Sequence, residues 1–233
     1  MTALRRFVFG RSDAVTVVSK AMQRDVSRQI HKSTKLEVIP MGVDLKHKFT
    51  PAPSLRQPKQ LLFAGRLVAK KGLEYLLQAM PHIRRAHPDA SLLIIGDGPE
   101  KERLEILARE IQIDAGVEFR GAVPNAELPR YYQKAAIVIF PSVVDLQGDR
   151  EGFGLVVVEA LGCACAAVIS DLPAMRDIVT NGLTGMVVPQ KNPGALAKKV
   201  IELLDHPERA RKLALAGRQF VLERFDWNQI ARR

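Results

Sequence analysis

The amino-acid sequence predicts an α/β protein built on a doubly wound parallel sheet. Three observations carry that reading. Short apolar runs alternate with amphipathic helical stretches, the pattern of successive βα units. The run Ile137-Val138-Ile139-Phe140 has no polar alternation, as a strand covered on both faces requires. Two late helices open on proline, at Pro193 and Pro207, where the fixed φ and missing N–H are harmless.

In chain order, Ala14–Val18 reads as a strand, followed by a helix from Lys20 to His31 and a second strand over Leu36–Pro40. Met41-Gly42-Val43-Asp44 and Phe49-Thr50-Pro51-Ala52-Pro53 break periodicity, so a linker is placed over residues 49–58. A new unit, residues 59–225, begins with the strand Gln60–Ala64 and a helix from Lys71 to Ala86. The strand Leu92–Ile95, the helix Glu100–Ile111, the short strand Val117–Phe119 and the helix Glu127–Ala135 follow. After the strand Ala136–Phe140 and a loop come the helix Gly154–Cys163 and the strands Ala167–Ser170 and Met186–Val188. Pro193–Asp205 and Pro207–Arg224 are the closing helices, and residues 226–233 start one more. In a sheet of this kind, ligands bind beyond the carboxyl ends of the strands.

The net charge of +10 raises the question of nucleic acid, and its distribution argues against that partner. Residues 51–194 hold sixteen basic and sixteen acidic side chains, so the excess lies in the two ends of the chain. No basic stretch is interleaved with stacking aromatics. Solvated helix faces explain the excess, and peripheral attraction to an anionic membrane surface is the functional alternative. No apolar run is long enough to span a bilayer, and Met1–Gly10 is too poor in apolar residues for a signal peptide. The two cysteines, Cys163 and Cys165, form neither a disulfide framework nor a zinc site and read as small core residues. A cytoplasmic setting follows.

Two segments carry chemistry. In Gly65-Arg66-Leu67-Val68-Ala69-Lys70-Lys71-Gly72, Arg66 emerges at the carboxyl edge of a strand and Lys71 is placed in the first turn of the next helix. A cation beside the positive end of a helix dipole is unfavourable unless an anion is present, which points to a bound phosphate. A solvated basic loop is the alternative. In Glu151-Gly152-Phe153-Gly154-Leu155, two glycines before a helix let the backbone approach a ligand, and first-turn amides can hold phosphate oxygens. Glu159 lies in an apolar stretch, where a carboxylate is costly without partners. It stands about 7 Å along the helix from the phosphate end, a sensible reach to ribose hydroxyls. A structural role in a buried network is the alternative.

These residues, with Ile95-Gly96-Asp97-Gly98-Pro99 and the Glu-x7-Glu pair, resemble the family-4 retaining glycosyltransferases of GT-B fold. The resemblance runs from about Asp13 to Trp227 and includes Pro40-Met41-Gly42-Val43-Asp44, Gly121-Ala122-Val123-Pro124, Phe140-Pro141-Ser142 and Gly182-Leu183-Thr184-Gly185. It implies a Rossmann-like donor domain preceded by the end, residues 1–48, of a second Rossmann-like, acceptor-side domain, whose acceptor residues would lie outside this sequence. It also implies that Arg66 and Lys71 grip the donor diphosphate, that the amides of Phe153, Gly154 and Leu155 meet the phosphates, and that Gly65 and Gly152 belong to the donor-binding site. Glu151 would bind the transferred sugar, Glu159 the ribose, and backbone groups near Val123 the base. Arg66, Lys71 and Glu151 are thereby the candidate catalytic residues of a hexosyl-type transferase. Ala164, Cys165 and Ala166 depart from the family's usual Gly, Thr and Pro, and the loop Val143–Arg150 is longer than in many members.

The implied donor is a nucleotide-diphosphate sugar such as a UDP-sugar. The acceptor is a glycan, a small molecule or a lipid-linked chain of bacterial polysaccharide or glycolipid synthesis. No Asp-x-Asp motif is present, so no metal and no cofactor are expected. Two cations and a helix N-terminus would instead neutralise the departing diphosphate. A nicotinamide-dependent dehydrogenase fits less well: Gly152-Phe153-Gly154 lacks the third glycine and comes late in the chain. A non-catalytic sugar-nucleotide-binding module and a sugar-nucleotide epimerase are the other rivals.

Overall fold

The computed structural model describes the backbone of residues 3–30 and 34–232, and the side chains from residue 7 onward. The expected helix end at His31 and the final Arg233 lie outside the described residues.

The chain opens with a helix the sequence reading did not include, α1 (Ala3–Gly10). Strands β1 (Ala14–Val17) and β2 (Lys35–Val38) then pair in parallel through α2 (Lys20–Ser27). Ser19 caps α2, its hydroxyl accepting the Met22 N–H at 3.1 Å.

The larger sheet is formed by β3 (Gln57–Ala64), β4 (Ser91–Ile95), β5 (Val117–Gly121), β6 (Ala135–Phe140), β7 (Ala166–Ser170) and β8 (Met186–Val188). Its order is β5-β4-β3-β6-β7-β8, and every pair is parallel. The chain therefore winds outward in one direction from β3 and then in the other from β6. That reversal creates a crevice beyond the carboxyl ends of β3 and β6, the switch point where doubly wound folds bind ligands.

Helices cover both faces. Along β3, Leu61 and Phe63 enter one core while Leu62 and Ala64 enter the other; Ile137 and Ile139 of β6 divide from Val138 and Phe140 in the same way. The first core is closed by α3 (Leu73–Ala86), α4 (Lys101–Glu110) and α8 (Pro193–Asp205). Against the second lie α5 (Leu128–Lys134), α6 (Leu155–Gly162), the one-turn α7 (Pro173–Arg176) and α9 (Pro207–Phe225). Because strand side chains alternate in direction, a run that is apolar throughout is stable only between two such layers.

Some boundaries differ from expectation. The strand read from Gln60 starts at Gln57, and a 3-10 turn, Pro53–Leu55, precedes it. Val43, Leu45 and Phe49 are buried in the second core. A short helix, α10 (Trp227–Ile230), folds back on this stretch: Val43 N–H donates to Phe225 O at 2.9 Å, and Trp227 N–H to Val43 O at 3.1 Å. The Arg218 guanidinium reaches the carbonyls of Leu45, Phe49 and Gly162.

Candidate functional site

Beyond β3 the chain is threaded tightly into its neighbours. Gly65 N–H donates to Ile95 O at 3.0 Å and Leu67 N–H to Asp97 O at 2.9 Å, while Glu100 N–H returns to Leu67 O at 3.0 Å. Gly72 has φ 62°, and a Cβ there would stand 2.1 Å from Pro141 O. Only glycine allows the post-β3 loop to press this closely on the segment after β6. Val143 N–H donates to Lys70 O at 2.8 Å and completes the clamp.

One expectation is corrected here. Lys71 does not lie in the first turn of an α-helix; it ends a 3-10 turn, Ala69–Lys71, and Gly72 in a left-handed conformation separates it from α3. The anion its position called for is present within the protein. Lys71 Nζ donates to Glu151 Oε2, and both side chains are largely buried, each 16% exposed. Burial works to raise the Glu151 carboxyl, but the Lys71 charge and hydrogen bond, helped by the Phe153 amide, hold it below its ordinary value. Lys70 makes a second link, to Asp149 Oδ2 at 2.9 Å. Arg66 is exposed at the strand edge; its carbonyl accepts the Val68 N–H at 3.1 Å, and its guanidinium forms no hydrogen bond or ion pair with the described residues.

Glu151 is followed by Gly152 and Phe153, whose ring packs edge-on against Phe225 with centroids 5.6 Å apart. Gly154 then caps α6 with φ 95° and no side-chain acceptor; Val157 N–H donates to Gly154 O at 2.9 Å, and the Leu155 and Val156 amides have no side-chain cap. The Val143–Arg150 loop is internally braced: Asp145 Oδ1 accepts the N–H groups of Gln147 at 3.0 Å and Asp149 at 2.8 Å. Arg150 pairs with Asp25 of α2. Between α2 and this loop lies a cleft of about 630 Å³, lined by Ser19, Met22, Asp25 and Arg28 on one side and by Arg150, Glu151 and Gly152 on the other. The cleft opens on Glu151; Arg66, Lys71 and Glu159 are not part of its lining.

Glu159, one turn along α6, is 5% exposed and accepts a hydrogen bond from the Tyr132 hydroxyl at 3.2 Å. Burial raises its carboxyl to about 7, against the opposing hydrogen bond of Tyr132 and the charge of Lys48. Lys48 Nζ donates to Asn125 Oδ1, two residues beyond Val123 in the loop after β5. Val123 is itself half-buried against the second core. Tyr132, Lys48 and Asn125 were not singled out from sequence. Their signal is weak, because a tyrosine on an amphipathic helix and a lysine in a polar linker look ordinary until folding brings them to Glu159.

Cys163 and Cys165 are fully buried, and burial drives both thiols upward. Cys165 Sγ donates to Tyr132 O at 2.8 Å. Arg56, also unremarked in the sequence, gathers the ends of α5 and α6 by donating to Tyr132 O at 3.0 Å, Cys163 O at 3.1 Å and Ala164 O at 2.9 Å. Among the described residues no cluster of His, Cys, Asp and Glu is arranged to hold a metal ion, and no helix is long and apolar enough to cross a membrane.

The six-stranded order and its strand-end loops are those of a GT-B glycosyltransferase domain. Sucrose-phosphate synthase from Thermosynechococcus elongatus superposes with TM-score 0.86 at 29% identity, over 98% of this chain and 58% of that one. The C-terminal domain of a glycosyl transferase group 1 family protein from Francisella tularensis matches over its whole length and 80% of this chain, with TM-score 0.70 and 25% identity. Residues 47–220 match the model of the glycosyl transferases group 1, and the chain belongs to that family. Among curated relatives, the GDP-mannose-dependent alpha-(1-6)-phosphatidylinositol monomannoside mannosyltransferase of Mycolicibacterium smegmatis is 32% identical over 237 residues. That alignment covers 97% of this chain and 62% of the relative, so the chain spans less than two thirds of the longer protein.

Proposed function

We propose that this chain forms the donor-binding part of a retaining, family-4 glycosyltransferase that takes a nucleotide-diphosphate sugar without a metal ion. The observation that carries the reading is the Lys71–Glu151 pair at the switch point of the sheet, just ahead of the α6 N-terminus, which has no side-chain cap. In this scheme Arg66 and Lys71, with the amides of Phe153 to Leu155, hold the diphosphate, and Gly65 and Gly152 keep the backbone close to it. Binding displaces Glu151 from Lys71, freeing its carboxylate for hydroxyls of the transferred sugar. Glu159 takes the ribose, and the backbone near Val123 meets the base. As the glycosidic bond to the diphosphate breaks, negative charge grows on the leaving oxygens, where fixed cations and amides stabilise it without reorganisation. Same-face attack, retaining the anomeric configuration, is the mechanism of the family the sequence resembles.

GDP-mannose is the first donor to test, because a relative sharing 32% identity is named for it, and UDP-sugars are the second. A glycan or lipid-linked acceptor fits the same relative's name, which specifies a phosphatidylinositol monomannoside, and a peripheral position at the inner face of the cell membrane fits the basic ends of the chain. A thermal-shift screen of nucleotide sugars tests donor binding, since a ligand stabilises the folded state by mass action. The absence of any shift across GDP- and UDP-sugars removes the proposal. A transfer assay with and without a separately expressed N-terminal partner then separates an active donor half from a module that only binds.

A further inference from the structure

Tyr132 is the largest fully buried side chain in the described residues, yet its hydroxyl is directed at a carboxylate. The residue is fixed along its length. Arg56 and Cys165 hold its carbonyl at 3.0 and 2.8 Å, and its ring lies against Phe49 with centroids 6.2 Å apart. At the other end the phenol donates to Glu159 Oε2, while Glu159 Oε1 accepts no hydrogen bond from the described residues. A phenol offers a single proton, so this contact occupies one oxygen and leaves the other to an outside donor.

We infer that Tyr132 is a positioning residue for the ligand's ribose: it anchors one oxygen of Glu159 so that the second is held ready for a sugar hydroxyl. This rests on the reading of Glu159 as the ribose ligand. A carboxylate with two free oxygens and several rotamers gives up conformational entropy on binding; one already pinned from below does not. Burial raises the Glu159 carboxyl to about 7, and the Tyr132 hydrogen bond and the charge of Lys48, itself bonded to Asn125, work against that rise. Burial keeps the Tyr132 hydroxyl protonated well above the usual phenol range, so it remains a donor at any working pH.

The test is the preference for ribose over deoxyribose. Affinities of the full chain for GDP, UDP and their 2′-deoxy and 3′-deoxy counterparts are measured by calorimetry for wild type, Tyr132→Phe and Glu159→Gln. The expected result is a preference of about tenfold for the ribose form in wild type, the magnitude of one charged hydrogen bond. It falls to within about twofold in both variants, with no further loss in the double variant. Should Tyr132→Phe fold poorly, difluorotyrosine at position 132 keeps the ring and strengthens the donor, and the preference rises. A wild-type preference that persists unchanged in the position-132 variants while Glu159→Gln abolishes it overturns the role of Tyr132 alone. A preference absent from wild type, or untouched by Glu159→Gln, overturns the ribose reading and this inference with it.

Discussion

Lys71 Nζ and the Glu151 carboxylate form an ion pair across 80 residues of sequence, each side chain 16% exposed. The two groups come from opposite sides of the switch point, one following β3 and the other following β6. Each neutralises the other. Under the proposed function, a diphosphate that takes over Lys71 would release Glu151 and so link anion binding to the availability of a carboxylate beside it.

Replacing Lys71 by Met should weaken nucleoside-diphosphate binding by ten- to a hundredfold, the equivalent of a charge-assisted hydrogen bond of roughly 1.5–3 kcal/mol. Calorimetry reads this directly, and unchanged affinity would take Lys71 out of the site. Glu151 supplies a second readout. Its folded carboxyl is held below the unfolded value, so its contribution to stability is present above the unfolded pKa and disappears as pH falls through the folded one. In Lys71→Met that acid-side loss of stability should be absent.

The carboxyl of Glu159 gives the opposite sign. Raised from 4.5 to about 7, it holds a proton in the folded state that the unfolded chain has released, so stability declines as pH climbs between those values and is level above them. The full decline is about 3 kcal/mol at most. Glu159→Gln lacks it, so the variant should gain on wild type from pH 5 to pH 8 in urea denaturation. Equal stability differences at the two pH values would sink this account.

Gly72→Ala would put a methyl 2.1 Å from Pro141 O at a backbone φ of 62°. Both problems push the post-β3 loop away from the post-β6 loop. A stability loss of about 1–3 kcal/mol is expected, with weaker diphosphate binding because Lys71 is displaced from its place beside Glu151. Retained affinity in a destabilised protein would show that the clamp serves folding only.

The proposed neutralisation of the diphosphate by Arg66, Lys71 and the N-terminus of α6 can be checked with a chelator. Donor binding should survive saturating EDTA within about twofold, which is less than the contribution of one charged hydrogen bond. Binding that requires added magnesium or manganese would refute the metal-free scheme.

Much of the fold is legible in the residues because burial on two faces leaves a mark no loop reproduces. Ile137 to Phe140 alternate between two cores, and the absence of polar alternation announces it. Proline at Pro193 and Pro207 and the glycines around Phe153 mark helix starts for equally local reasons. Local signals falter where the chain must decide between similar turns. Lys71 stands in a 3-10 turn because Gly72 adopts a left-handed conformation under Pro141, a contact from a distant segment.

The sequence alone determined the alternation of elements, the placement of Arg66 just beyond a strand and of Glu159 on the helix after Gly154, and the family pattern these residues form with Lys71 and Glu151. Periodicity, capping and spacing are local, and they survive in a one-dimensional reading. Only the tertiary structure decided which charges meet. That Lys71 is answered by Glu151, and Glu159 by Tyr132, depends on the reversal of strand order between β3 and β6 and on the packing of α5 against α6. Desolvation and charge pairing act through space over a few ångströms, so the properties of these carboxyl groups exist only once the chain has folded.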